Sequence, residues 1–212
     1  MNKDITNKSS LLVGLTGSIA TGKSLIASYF ESLGLYVIEA DKIYSELIQP
    51  NQPLLKLIAM EFSNDVIMED GSLNRKLLAE KIFSAEENRL KLNRITHPFI
   101  LNKIIEKINS ATDKKIIVIT APLIIESNIL ELFHYLIVVI CSYEHQISRL
   151  IERDKINEEE AKQKIKAQLS SEEKIKYADF VIKNDSTIEH SYQQAQSIYL
   201  KLLKITSERR SN

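Results

Sequence analysis

The apolar residues of this chain are gathered in five short runs, and longer stretches with a helical spacing of apolar positions separate them. The runs lie at 11–15, 35–39, 115–120, 135–140 and 180–182. They are continuous and rich in Ile and Val, which is typical of strands that are buried on both faces of a sheet. Because helical stretches alternate with these runs, the pattern predicts an α/β fold with a five-stranded parallel sheet flanked by helices.

The spacing of the runs is uneven. Residues 40–114 separate the second run from the third, which is too long for a single crossover helix. We therefore expect a helical insertion at 44–109 and a second one at 143–177. The core would then be 11–43, 110–142 and 178–204, within one domain at 11–204, with flexible tails at 1–10 and 205–212. By analogy of fold alone, small kinases use one such insertion to hold the acceptor and the other as a lid.

Three of the five glycines fall within nine residues, at Gly14 near the end of the first run and at Gly17 and Gly22 after it. Residues 17–24 match G-x-x-x-x-G-K-[ST], the phosphate-binding P-loop. Its backbone N–H groups bind phosphate oxygens, and the helix that follows adds the positive end of its dipole. Lys23 would reach the β- and γ-phosphates, and the Ser24 hydroxyl would bind Mg²⁺. The loop residues expected to bind ATP are Gly17, Ala20, Thr21, Gly22, Lys23, Ser24 and Leu25.

Asp41 comes two residues after the second run. Ligands of open parallel sheets bind beyond the carboxyl ends of the strands, where the P-loop also lies. A carboxylate at this place can accept a proton from an attacking hydroxyl or orient Mg²⁺. The alternative is that Asp41 is the N-cap of a helix over 42–48.

Arg149 and Arg153 are four residues apart in a helical stretch, so they share one helix face. Two guanidinium groups on one face can bind a transferring phosphoryl group. The alternative is a solvated face that is paired with Glu152 and Asp154. The sequence is compatible with both interpretations.

Three further positions are candidates for substrate contacts. Pro98 restricts His97 to an extended or turn conformation, and a lone histidine is more often structural. Pro122 and Glu126 follow the third run and face the same crevice. Glu126 could bind substrate or cap a helix.

The third run ends in Thr120, and no aspartate of the Walker-B type is evident. Motor ATPases and GTPase switches normally need that aspartate, so its absence favours a kinase. The counts of basic and acidic residues are equal, at 28 each, which indicates no surface for nucleic acid. No apolar stretch approaches 18 residues, and the N-terminus lacks a signal peptide. The single cysteine, Cys141, is compatible with a reducing compartment, and we expect a cytoplasmic protein.

Taken together, the motifs resemble the dephospho-CoA kinase family over about 12–203. Residues 14–24 resemble its G-L-T-G-G-I-G-S-G-K-S, residues 39–41 its D-A-D, and residues 70–75 its D-G-x-L-N-R. Further positions recur in order: His97-Pro98, 122–126, Gln146, Arg149, Arg153, Asp154, Gln168, Lys174, Ala178-Asp179 and Asn184. Four residues depart from the family pattern. Ser18 and Ala20 replace glycines, so we expect the loop to reach phosphate without a positive φ at these two positions. Glu39 replaces an aspartate, and Lys164 stands where many members have arginine.

The resemblance implies that ATP phosphorylates the ribose 3′-hydroxyl of dephospho-CoA, with Asp41 as the base. Lys23 and Arg149 would stabilise the phosphoryl group, Arg153 would assist with ATP, and Ser24 would bind Mg²⁺. The residues expected to bind the acceptor are Thr16, Asp41, Arg75, His97, Pro122 and Glu126. We expect a monomer or a weak homo-oligomer without a membrane partner. The alternatives are another small-molecule kinase, of the nucleotide or shikimate type, and a nucleotide-dependent regulatory switch.

Overall fold

Five strands form one sheet: β1 (Leu11–Thr16), β2 (Tyr36–Glu39), β3 (Ile116–Thr120), β4 (Tyr135–Ile140) and β5 (Phe180–Lys183). Their order in the sheet is β2-β3-β1-β4-β5. β1 pairs in parallel with β3 and with β4, and β4 pairs in parallel with β5. The structure confirms the predicted α/β fold with its parallel sheet, and each strand falls on one of the five apolar runs.

The computed structural model describes residues 5–7, 9–83, 85–126 and 129–209, which form two compact units. The sheet unit consists of the described parts of Asn7–Ile38 and Ala111–Asn212, and the helical unit consists of Glu39–Ser110 with residues 5 and 6. The helices are α1 (Lys23–Ser32), α2 (Ala40–Leu47), α3 (Pro53–Phe62), α4 (Arg75–Phe83), α5 (Glu86–Ser110), α6 (Tyr143–Asp154), α7 (Glu158–Lys166), α8 (Ser171–Ile175) and α9 (Ile188–Glu208). Within these residues, no helix combines the length and apolar character that crossing a membrane requires.

The core of the sheet unit lies between the sheet and two helices. Alternate side chains of β1 and β3 pack against α1 and α9, and Phe30, Ile26 and Leu202 are completely buried there. The α1 helix ends in a Schellman motif, because Gly34 N–H donates to Glu31 and Leu35 N–H donates to Phe30. Gly34 takes a φ of +84°, a left-handed conformation that glycine adopts without strain and that ends the helix.

In the helical unit, α2, α3 and α4 all pack against the long helix α5. Proline begins α3, where the missing N–H costs no hydrogen bond. The apolar cluster includes Leu54, Ile58 and Val66, each completely buried. The predicted helical insertion at 44–109 lies inside this unit, which begins earlier, at Glu39.

The expectation that Pro98 keeps His97 out of a helix was wrong. Both residues lie inside α5, which continues through Pro98 to Ser110. Proline disfavours the helical conformation of the residue before it, but α5 is held by three helices of the same unit. Tertiary packing therefore outweighs the local preference.

Both predicted tails are partly folded. Asn7 and Ser10 are buried, and the Asn7 side-chain amide donates to the Ala111 carbonyl at 3.1 Å. Residues 1–4 and 8 lie outside the described residues. At the other end α9 continues to Glu208, and Thr206 is buried, so the helix passes the predicted boundary at 204. Residues 210–212 lie outside the described residues.

Candidate functional site

The P-loop joins the end of β1 to the start of α1, as its sequence predicts. Two of its residues have left-handed backbone conformations, Ala20 with φ +62° and Gly22 with φ +94°. The expectation that Ala20 forgoes a positive φ was therefore wrong. A β-carbon in this conformation costs about 1–2 kcal/mol, so the surrounding contacts must hold Ala20 in place.

Gly17 and Gly22 are needed because neighbouring groups approach their backbones closely. A β-carbon at Gly17 would lie 2.5 Å from the Val139 carbonyl oxygen and 2.6 Å from Thr21 Oγ1. A β-carbon at Gly22 would overlap the side-chain amide of Asn184. Gly17 is thus required by close approach, whereas Gly22 is required by both close approach and its positive φ.

Three consecutive carbonyls of the P-loop each accept a hydrogen bond from a distant side chain. Gln146 Nε2 donates to the Ile19 carbonyl at 2.7 Å. Arg149 donates to the Ala20 carbonyl at 3.3 Å, and Asn184 Nδ2 donates to the Thr21 carbonyl at 2.8 Å. Since a trans peptide directs its N–H opposite to its carbonyl, the N–H groups of Ala20 and Gly22 point away from these donors. The Thr21 N–H between them donates to the Ser18 carbonyl instead. Outward N–H groups of this kind can bind an anion.

Asn184 follows β5 and links three parts of the sheet unit. Its backbone N–H donates to Ile140, and its carbonyl accepts from Arg149 at 2.9 Å. Its side-chain oxygen accepts from the Ser191 hydroxyl at 2.8 Å. Asn184 is 4% exposed, so these bonds satisfy polar groups that water does not reach. Asn184 therefore contacts both the P-loop and Arg149 and holds them in position relative to each other.

A second set of contacts ties the P-loop to the turn between α7 and α8. The Ser18 hydroxyl donates to the Leu169 carbonyl at 2.9 Å, and Ile19 N–H donates to Gln168 Oε1 at 2.8 Å. Ser18 is one of the two residues that replace a family glycine. Its hydroxyl thus makes a tether that glycine would lack.

The helix α1 begins at Lys23, directly after Gly22 of the P-loop. Lys23 is half-buried, and Ser24 is exposed in the first turn of the helix. The first turn of α1 contains no acidic residue to neutralise the positive end of the helix dipole. The Leu25 N–H donates to the Gly22 carbonyl at 3.0 Å. The chemistry of this segment therefore fits a phosphate group with Mg²⁺ beside Ser24.

Thr16, Pro122 and Glu126 meet through one buried lysine, Lys174 of α8. The Thr16 hydroxyl donates to the Pro122 carbonyl at 3.2 Å, and Lys174 Nζ donates to the same carbonyl at 2.7 Å. Lys174 also forms an ion pair with Glu126 at 2.9 Å. These bonds occupy the Thr16 hydroxyl and the Pro122 carbonyl, and contacts of the two residues with a substrate stay a prediction.

Arg149 and Arg153 lie on one face of α6 but have different partners. Arg149 reaches the P-loop and Asn184, as described above. The Arg153 guanidinium makes two hydrogen bonds to Asp154, at 2.7 and 3.2 Å, and its side chain is 59% exposed. Lys164 of α7 pairs with the same carboxylate at 2.8 Å. The two cations hold the pKa of Asp154 at about 2.

Asp41, Arg75 and His97 belong to the helical unit. Asp41 is exposed in the first turn of α2, and the N-cap of that helix is Glu39, so the alternative N-cap role of Asp41 was wrong. Arg75 is exposed at the start of α4, and its positive charge opposes the burial that raises the pKa of Tyr44. His97 is half-buried in α5, and burial lowers its pKa.

The D-G-x-L-N-R segment, 70–75, forms a tight turn that leads into α4. The Asp70 carboxylate accepts from the Ser72 N–H at 2.9 Å, and Gly71 takes φ +80°. Asn74 Oδ1 accepts from Leu77 N–H at 3.1 Å, which caps α4 directly before Arg75. The segment therefore sets the position of Arg75 at the first residue of its helix.

The P-loop, the sheet order and the helices on both sides define a kinase-like P-loop fold. A solved shikimate kinase from Acinetobacter baumannii shares this fold, with a TM-score of 0.51 and 16% identity over 95% of this chain and 98% of its own. A solved dephospho-CoA kinase from Campylobacter jejuni has a TM-score of 0.60 and 30% identity, over 92% of this chain and 98% of its own.

The chain belongs to the dephospho-CoA kinase family, whose sequence model matches residues 11–190. The dephospho-CoA kinase of Fusobacterium nucleatum is 40% identical over 88% of this chain and 95% of its own length. The enzyme of the same name from Colwellia psychrerythraea is 39% identical over 93% of this chain and 99% of its own.

Proposed function

We propose that this protein transfers the γ-phosphoryl group of ATP to the ribose 3′-hydroxyl of dephospho-CoA, which gives coenzyme A and ADP. This reaction is the last step of coenzyme A synthesis. The observation that carries the proposal is the family match over 11–190, which includes an intact P-loop at the end of β1.

The P-loop supplies the triphosphate site. The outward N–H groups of Ala20 and Gly22, together with the N-terminus of α1, offer donors to the phosphate oxygens. Lys23 adds a positive charge from the first residue of α1. The exposed Ser24 hydroxyl is the proposed ligand of Mg²⁺, which when bound neutralises charge on the phosphates.

Asp41 is the proposed base. Its carboxylate takes the proton from the 3′-hydroxyl while that oxygen forms a bond to the γ-phosphorus. The bond from the γ-phosphorus to the β,γ-bridging oxygen breaks, and ADP leaves with the electron pair. Support comes from the position of Asp41, two residues after the end of β2, and from its exposure.

Arg75 and His97 are the proposed acceptor residues of the helical unit. Arg75 offers an exposed guanidinium that suits the diphosphate of dephospho-CoA. Because burial lowers the pKa of His97, its imidazole is neutral near pH 7 and can donate or accept a hydrogen bond. Arg149 is proposed to stabilise the phosphoryl group in transfer. Substrate contacts of Thr16, Pro122 and Glu126, and an ATP contact of Arg153, remain part of the proposal.

We also propose a cytoplasmic protein that acts as a monomer or weak homo-oligomer, without nucleic acid or a membrane as partner. The balanced charge of 28 basic and 28 acidic residues supports the absence of a polyanion-binding surface.

The test is ADP release with a panel of acceptors: dephospho-CoA, nucleoside monophosphates, shikimate and none. We expect release with dephospho-CoA and a product phosphorylated at the 3′-hydroxyl. Lys23→Ala is the matched control and should abolish the transfer. Equal ADP release without any acceptor would contradict the proposal and would indicate an ATPase.

A further inference from the structure

Lys174 is a lysine whose side chain is completely buried, although lysine is almost never buried without a partner. It lies in α8, and its Nζ atom makes two short contacts. It donates to the Pro122 carbonyl at 2.7 Å and pairs with Glu126 Oε1 at 2.9 Å. The ammonium group is therefore held in one place by the loop that follows β3.

The carbonyl that Lys174 binds is also bound by Thr16. Thr16 is the last residue of β1 and directly precedes the P-loop. Lys174 and Thr16 together hold the loop after β3 against the end of β1. A change at Lys174 is thus transmitted to the residue next to Gly17.

The buried positive charge of Lys174 is energetically unfavourable when no ligand is bound. Burial lowers the pKa of Lys174, the carboxylate of Glu126 raises it, and the positive charge of Lys23 lowers it further. Glu126 also accepts a hydrogen bond from Leu169 N–H at 3.2 Å, so its carboxylate serves two donors. Glu126 is thus the carboxylate that pairs with Lys174, and the positive charge of Lys23 acts against that of Lys174.

A link between the loop after β3 and the end of β1 does not by itself require the positive charge of Lys174. Replacing a buried ion pair by apolar residues is often neutral or stabilising for folding. A site that receives a polyanion does benefit from it, because a fixed positive charge in a buried environment interacts strongly with phosphate.

We propose that Lys174 is a positioning residue of the phosphate site, which holds the loop after β3 on the end of β1 and adds a buried positive charge to that of the half-buried Lys23. This inference rests on the proposed binding of ATP at the P-loop.

The first test compares Lys174→Met with Lys176→Met. Lys176 lies two residues further along the chain, is 64% exposed and pairs with Glu173. Binding of ATP, ADP and AMP is measured by calorimetry without acceptor. We expect Lys174→Met to weaken ATP binding by about tenfold or more. The loss should be smaller for ADP and smallest for AMP. Lys176→Met should stay within about twofold of the wild type.

The second test is Glu126→Gln, which keeps the shape of the side chain and removes its negative charge. If the charge of Lys174 acts on the phosphates, this variant binds ATP more tightly, whereas Lys174→Met binds it more weakly. A purely structural role of the pair predicts weaker binding in both variants. The sign measured for Glu126→Gln decides the question even if Lys174→Met does not fold.

Two results would overturn the inference: wild-type ATP affinity in a folded Lys174→Met, or weakened ATP binding in Glu126→Gln. The proposed function fails separately, if the wild type binds ATP but does not phosphorylate dephospho-CoA.

Discussion

The side-chain amide of Asn184 occupies the space where a β-carbon of residue 22 would lie, and it donates from there to the Thr21 carbonyl at 2.8 Å. A residue that follows the last strand thus determines which side chain the P-loop can have at position 22. The positive φ of Gly22 imposes the same requirement independently.

Gly22→Ala should therefore weaken ATP binding by at least about tenfold, because Asn184 must move and release the Thr21 carbonyl. Calorimetric titration with ATP measures the loss. Gly34→Ala is the matched control, since Gly34 also has a positive φ but has open space around it. That variant should lose about 1 kcal/mol of stability and keep its ATP affinity. Equal losses of ATP affinity in both variants would show that backbone strain alone is responsible.

Asp41→Asn should lower kcat by about 10²–10⁴-fold, because the amide cannot take the proton of the acceptor hydroxyl. The affinity for ATP, measured without acceptor, should stay nearly unchanged. Glu46→Gln, at an exposed position of the same helix α2, is a control for the loss of one exposed carboxylate in the helical unit. A change confined to KM would remove the role of Asp41 as base.

Arg149→Ala and Arg153→Ala should differ strongly, although the two residues share a helix face. Arg149 loses its contacts with Ala20 and Asn184, and we expect kcat/KM for ATP to fall by about 100-fold, with kcat affected more than ATP affinity. Arg153 is paired with Asp154 at the surface, so its proposed ATP contact is solvent-exposed, and its removal should cost about threefold or less. Steady-state kinetics at varied ATP concentration compares them. Similar losses would mean that both guanidinium groups contact the phosphates.

Ser18→Ala should loosen the turn between α7 and α8, because it removes the hydrogen bond to the Leu169 carbonyl. We expect a loss of about 0.5–1.5 kcal/mol in the free energy of unfolding, measured with urea, and faster hydrogen exchange at 167–170. Ser32→Ala is the control, because that exposed hydroxyl bonds only to Tyr29 of its own helix. Unchanged exchange at 167–170 would argue against the tether.

Asp154 should make stability depend on acidic pH. Its folded pKa of about 2 lies below the ordinary value of 3.8, so its ionised form stabilises the folded state. This contribution is complete above about pH 4 and disappears as the pH falls through about 2. Asp154→Asn should cost about 1 kcal/mol or less at pH 7, since solvent screens this surface cluster, and the cost should vanish below about pH 2. Urea unfolding at several pH values, with Glu152→Gln as control, measures this. A constant difference across pH would exclude the charge as its cause.

The sequence predicted the strands and the P-loop because both have local signals. Buried strands are continuous apolar runs, and the P-loop is a fixed pattern of glycines before Lys23. The buried polar residues around the loop have no such signal. Gln146, Lys174 and Asn184 lie among charged or polar neighbours. The carbonyls to which their side-chain nitrogens donate are between 52 and 163 residues away along the chain.

The two local predictions that failed have a common cause. Ala20 takes a positive φ, and His97 is helical before a proline, because tertiary contacts outweigh the local preference of each residue. A single sequence gives that preference but does not give the distant groups that overcome it.

The hydrogen bonds from Gln146, Arg149 and Asn184 to the P-loop have a consequence for how the protein folds during its synthesis. During translation the glycine-rich motif leaves the ribosome first, but the side chains that fix its carbonyls are synthesised more than a hundred residues later. The nascent chain therefore carries a phosphate-binding sequence without a phosphate-binding structure, and ATP can assist folding only after the last strand has joined the sheet.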